Sequence, residues 1–194
     1  RFFLQSDINN FNRYQKEIDD QIKSSEISFF NLTFNRLISR IEQVKEFYEE
    51  ILTTPFDFKT KDSISLNFKS LPYAKTLNGL KAIWRKRLKL STLEHYSSLK
   101  EQQTYNMAED STYQFKSDLV LEEKARAKTK KNIKNYFDII SDIERKDWFS
   151  IYVNTITMEF DPHSNYFAPE DKEKFDQNIS GKFEGIGARL QKKN

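Results

Sequence analysis

Asp161, His163 and Ser164 lie within four residues of one another, and an acid, an imidazole and a hydroxyl are the parts of a nucleophilic relay. A relay needs the carboxylate and the hydroxyl on opposite nitrogens of the imidazole, normally delivered by separate parts of a fold. The tight spacing therefore predicts a local turn, closed by Asx-type and hydroxyl hydrogen bonds. Asp161 and His163 are also too few to make a metal site. The other histidine, His95, sits among Glu94, Tyr96 and Ser97 and reads as structural. Ser97-Ser98-Leu99-Lys100 matches the Ser-x-x-Lys signature of penicillin-recognising enzymes, but neither Ser-Asp-Asn nor Lys-Thr-Gly follows it, so the match is coincidental. With no cysteine in the chain, thiol catalysis and thiolate metal sites are excluded. Gly185-Ile186-Gly187-Ala188 makes the best physical case. Two glycines flanking an aliphatic residue let successive backbone N–H groups converge on one point, and such a nest binds an anion. Followed by a strand edge, it can hold the terminal carboxylate of a peptide that adds as an extra strand.

These residues hang on elements that the hydropathy pattern predicts to be helical. Ser6-Asp7 reads as an N-cap, with Ile8, Phe11, Ile18 and Ile22 near helical spacing behind it. A longer helix is predicted from Ser25 or Glu26, with Phe30, Leu37, Ile41, Val44, Tyr48 and Ile51 among its apolar stripe, and Pro55 ends it. Residues 56–73 alternate weakly and are expected to form an extended connector or a short strand pair. Thr76 is placed to cap a third helix running to about Leu99, and the polar residues 102–112 are expected to form a loop. A fourth helix is predicted over about 113–144. A fifth, capped by Asp147, ends at Asp161-Pro162, and Pro169 starts another. Past Ser180 three of the four glycines cluster between Gly181 and Gly187, which places a domain boundary there.

Composition sets the fold class as mainly α. Four Gly and four Pro in 194 residues leave little material for the many turns of an all-β fold. Hydrophobic residues make up only 37% of the chain, so its 17 Phe and 9 Tyr must carry a thin, aromatic-rich core. A net charge of +3 from interspersed acids and bases points to solvated helix faces rather than a nucleic-acid partner. The basic run from Lys124 to Lys134 carries no aromatic side chain to stack on bases. No apolar run approaches the roughly 18 residues of a membrane span. The apolar opening Arg1-Phe2-Phe3-Leu4, with no initiating methionine, predicts that further sequence precedes it.

Glu159-Phe160-Asp161-Pro162-His163-Ser164-Asn165-Tyr166-Phe167-Ala168-Pro169, then Phe183-Glu184-Gly185-Ile186-Gly187-Ala188-Arg189-Leu190-Gln191, closely resembles the tail-specific (C-terminal processing) serine proteases. In that family an Asp-Pro-His-Thr-x-Tyr sequence ends the helical region and Leu-Glu-Gly-Ile-Gly-Ala enters a PDZ domain. Phe3 to Ile8, Pro55 to Phe58 and the stretch from Leu71 to Leu90 around Trp84 agree as well, in order. Ser164 stands for the commoner Thr and keeps the hydroxyl, while Lys182-Phe183 replaces a smaller, less basic pair.

The resemblance implies a helical N-terminal domain over 1–180 and the beginning of a PDZ domain over 181–194, with Gly185, Ile186, Gly187 and Ala188 as its carboxylate-binding loop. It also implies a catalytic core with a Ser/Lys dyad downstream, so that no catalytic residue, metal or cofactor belongs to this chain. The implied partners are protein substrates held by their nonpolar C-termini in the periplasm, with an adaptor protein as a further candidate. The alternative is a stand-alone helical adaptor with no protease attached.

Overall fold

A computed structural model describes residues 1–65, 67 and 71–180. Among them are seven α-helices: α1 Gln5–Phe11, α2 Ile18–Ser24, α3 Ser28–Ile51, α4 Leu77–Glu109, α5 Asp118–Asp142, α6 Arg145–Phe160 and α7 Pro169–Ser180, with a 3-10 turn over Asn12–Tyr14. No β-strand occurs among the described residues, and the one isolated bridge joins Leu4 to Ala74. The fold is mainly α. It divides into two compact units, Arg1–Asp142 and a second beginning at Ile143.

The chain departs from the sequence expectations in instructive ways. The first predicted helix is broken in two by the 3-10 turn, which brings side chains three apart into line. Phe11 and Tyr14 thereby meet the same ring, Phe29, at 6.2 and 5.6 Å between centroids. Asp7 and Asp147 do not stand at N-cap positions. Each sits one turn inside its helix and accepts from the capping residue's N–H, Leu4 at 2.8 Å and Glu144 at 2.9 Å. Residues 102–109 continue α4 instead of forming a loop, since no Gly or Pro breaks them there. The Gln103 side chain fixes this end by a double hydrogen bond to the backbone of Lys116, 2.8 and 3.1 Å. Thr76 caps α4 as expected, accepting from Gly79 N–H at 3.1 Å.

In the first unit, α3 turns Ile41, Val44, Tyr48 and Ile51 inward and α4 turns in Leu80, Trp84 and Leu88. These spacings of three and four keep one helical stripe on the core. Helix α5 buries Leu121, Ala125, Thr129 and Phe137, again at multiples of four, and leaves Lys124, Lys128, Lys130 and Lys131 in solvent. The basic run is thus a solvated face. Small side chains let α5 approach α4 closely, and the buried hydroxyls of Thr92 and Thr129 meet at 3.0 Å. Phe137 is the aromatic centre. It stacks on Tyr48 at 5.2 Å and lies 6.2 Å from Trp84 and 6.3 Å from Phe2.

Buried polar groups tie segments that the helices alone would leave loose. Glu122 is 5% exposed, accepts from Phe56 N–H at 3.0 Å and pairs with Arg126 at 3.1 Å. Arg126 in turn donates to the carbonyl of Leu52 at 2.8 Å, satisfying the C-terminal end of α3. The connector after Pro55 forms no strand where described, bends at residues 58–60 and is held by side chains. Lys89 pairs with Asp62 at 2.6 Å, and Asp57 closes a turn on Lys59 N–H and Thr60.

Candidate functional site

The predicted carboxylate loop, Gly185 to Ala188, lies outside the described residues. The described site is the turn that leads toward it. Helix α6 ends as Asp161 N–H donates to Thr157 at 2.9 Å, and Pro162 has no N–H with which to continue. One carboxylate oxygen of Asp161 accepts the His163 main-chain N–H at 3.0 Å; the other accepts the Ser164 hydroxyl at 2.7 Å. Both bonds hold the Asp161 carboxyl below the ordinary carboxylate range, the His163 N–H first and the Ser164 hydroxyl second. Asp161 is therefore an ionised acceptor spent on its own turn. The Ser164 proton points to the carboxylate and not to an imidazole, and the His163 side chain is exposed. The local-turn reading holds, and the relay reading does not.

Beyond the turn the chain doubles back along α6. Asn154 lies six residues before the end of the helix, about 9 Å at 1.5 Å per residue. Its side-chain amide takes both main-chain groups of Tyr166, accepting from the N–H at 2.6 Å and donating to the carbonyl at 3.1 Å. An amide used this way does what a neighbouring strand does. It fixes the direction in which residues 166–169 leave. The Tyr166 ring meets Phe149 edge-on at 6.3 Å, and Phe167 stacks on Phe175 at 5.1 Å, seating the start of α7. Sequence reasoning missed Asn154, although an Asn facing inward near a helix end is a usable signal for such a clamp.

Because Asp161 holds the main-chain N–H of His163 and not its ring, the two residues separate experimentally. His163→Ala is expected to leave the turn intact, whereas Asp161→Ala is expected to raise amide hydrogen exchange at residues 163 and 164. Equal exchange in the two variants would show that the carboxylate does not hold the turn.

The other sequence candidates carry no chemistry here. Lys100 pairs with Asp118 at 2.9 Å; that bond, followed by the Tyr96 hydroxyl, raises its pKa and keeps the ammonium charged, the wrong state for a general base. His95 lies 3.2 Å from the Asn132 amide, bridging α4 and α5, and burial first, then Lys128, lowers its pKa toward the neutral form that can accept this bond. Among the described residues no cluster of three or more acidic or histidine side chains is placed to hold a metal. None of the described helices is long and apolar enough to cross a membrane.

Comparison with known proteins places these observations. Residues 1–170 match the tail-specific protease N-terminal domain family. The chain is also 24% identical over 198 aligned residues to the tail-specific protease of Haemophilus influenzae, an alignment covering 97% of this chain and 24% of that protein. The chain thus spans about a quarter of the length of the curated relative it matches. The match over residues 1–170 makes this chain a member of the tail-specific protease family, carrying that family's N-terminal domain.

Proposed function

We propose that the chain is the non-catalytic N-terminal part of a periplasmic serine endopeptidase that degrades or processes proteins with nonpolar C-termini. The observation that carries this reading is the family match over residues 1–170, which runs through the Asp161 turn and up to the start of α7. In this reading residues 1–180 are a scaffold. Residues 181–194 begin a PDZ domain, and Gly185, Ile186, Gly187 and Ala188 receive the substrate carboxylate. The Ser/Lys dyad lies downstream, where a lysine kept neutral by burial takes the serine proton. The Asn154 clamp and the Asp161 turn fit the scaffold role, since they set the path by which the chain reaches the recognition loop.

Two measurements test it. The 194-residue chain alone is expected to leave an unfolded protein with an apolar C-terminus uncut; turnover abolished by replacing a serine of this chain would overturn the assignment. In the full-length protein, Gly187→Val adds a branched side chain where amides must approach an anion. It is expected to weaken binding of free-acid peptides far more than of their C-terminal amides. Equal affinity of acid and amide for the unmodified protein would remove the carboxylate loop and leave Gly185 and Gly187 as ordinary turn residues.

A further inference from the structure

Two hollows on the first unit share one wall. The smaller, about 280 Å³, lies between residues 55–59 and the start of α5, with Phe58, Tyr96 and Leu119 in its lining. The larger, about 530 Å³, is a shallow groove along α4 from Leu93 past Tyr96 to Tyr105. Tyr96 belongs to both. Its ring packs 5.1 Å from that of Phe58, and its hydroxyl bonds to Lys100 and to Asp118, so the shared wall is fixed. The two ends are apolar and open to solvent, Leu119 being 68% exposed and Tyr105 65%. Tyr96 and Tyr105 stand nine residues apart on one helix. At 1.5 Å per residue that is about 13.5 Å, the length of about four extended residues.

The charges along this path are matched in place. Lys100 pairs with Asp118 at 2.9 Å, and Glu122 is held by Phe56 N–H and by Arg126. Asp57 is spent on Lys59 N–H and the Thr60 hydroxyl. Lys59 and Glu101 complete the charged lining with opposite signs. The path therefore selects no ion and favours an uncharged, apolar ligand. The main-chain groups of α4 are used within the helix, so a bound strand gains no ladder of hydrogen bonds. Ser97, Thr104 and Glu101 offer scattered side-chain partners instead; the Thr104 hydroxyl donates to the Lys100 carbonyl at 3.0 Å and still can accept. Side-chain contact without a fixed main-chain register tolerates many sequences. That suits a stretch of unfolded chain better than a single motif.

We propose that this path holds the apolar body of an unfolded substrate chain, with extended residues between Tyr96 and Tyr105 and one more apolar side chain beside Leu119. The identity of the ligand as a substrate rests on the protease reading above; the contacts themselves do not involve the carboxylate loop. The test is an NMR titration of the isotope-labelled 194-residue chain. The probes are two N-acetylated, C-terminally amidated hexapeptides, one of leucine, alanine and tyrosine, the other of serine, glycine and glutamine. The apolar peptide is expected to shift amides within residues 93–105 and near 119, and to bind at least fivefold more tightly than the polar one. Tyr105→Gln with Leu119→Gln, both at side chains about two-thirds exposed, is expected to erase that preference with the thermal melt unchanged. In the full-length protein the same pair is expected to raise KM for an unfolded protein at least threefold and to leave kcat unchanged. Equal binding of the two peptides to the unmodified chain would overturn the proposal without reliance on any variant. So would a preference that survives the double substitution, shifts confined to other residues, an unchanged KM, or tighter binding of a preformed amphipathic helix. Because both probes are amides, failure of this path and failure of the carboxylate loop in the acid–amide comparison are read separately.

Discussion

Arg40→Met is expected to destabilise the first unit by about 3–5 kcal/mol, the cost of breaking a buried pair from one side. Asp7 and Arg40 are 3% and 8% exposed, and the guanidinium grips the carboxylate with two bonds of 2.8 and 2.9 Å. Without Arg40, a buried carboxylate is left with Leu4 N–H and with Arg36 at 3.4 Å. Arg40→Lys is expected to fall between, because a point charge cannot reproduce the fork. Burial acts to raise the Asp7 pKa, but the Arg40 bonds, the Leu4 N–H and the nearby charges outweigh it, and the net shift is downward. The pair's contribution is therefore complete above the ordinary carboxylate pKa of about 3.9 and is lost as pH falls through the depressed folded value. Denaturant unfolding of both proteins checks this. Their gap should be widest near neutrality and shrink toward pH 2, and a gap that is constant across that range would separate the loss from the ionised pair.

Phe137→Ala should cost a comparable amount, about 3–5 kcal/mol. The side chain is 2% exposed, and its neighbours Phe2, Tyr48 and Trp84 come from three separate segments. Tyr48 and Trp84 are anchored in α3 and α4, so the space left by the ring cannot easily close, and the cost rises with the cavity that remains. Phe115 is 67% exposed, and Phe115→Ala should fall within about 0.5 kcal/mol of the parent. Thermal melts of the two alanine variants make the comparison, and similar losses would place the core elsewhere.

The long helices and their inward stripes were legible because their periodicity is a local property of the sequence. Thr76 at the head of α4, Pro162 past the end of α6 and Pro169 opening α7 were legible for the same reason, since a cap or a breaker acts on its own neighbours. Contacts decided at a distance were not. Polar residues 102–109 look like a loop until Gln103 is seen to hold Lys116. Asp7 looks like a cap until Arg40, 33 residues away, reaches it. Arg36 and Arg40, four apart beside the apolar stripe of α3, were the signal available for that pair. The Asp161 turn was readable because all its partners lie within a few residues, whereas the Asn154 clamp on Tyr166 spans 12.

The close packing of α4 against α5 bears on the order in which the molecule assembles. Eight residues, 110–117, separate these helices, whereas the bond between Phe56 and Glu122 closes a span of 66. On chain entropy alone the longer closure costs roughly 2 kcal/mol more. Folding should then start in the α4–α5 hairpin, with the N-terminal segment and α3 condensing onto it afterwards. Changes at Thr92 and Thr129 would chiefly slow refolding, and changes at Asp7 and Arg40 would chiefly hasten unfolding. The same stability would thus be governed by two different clocks.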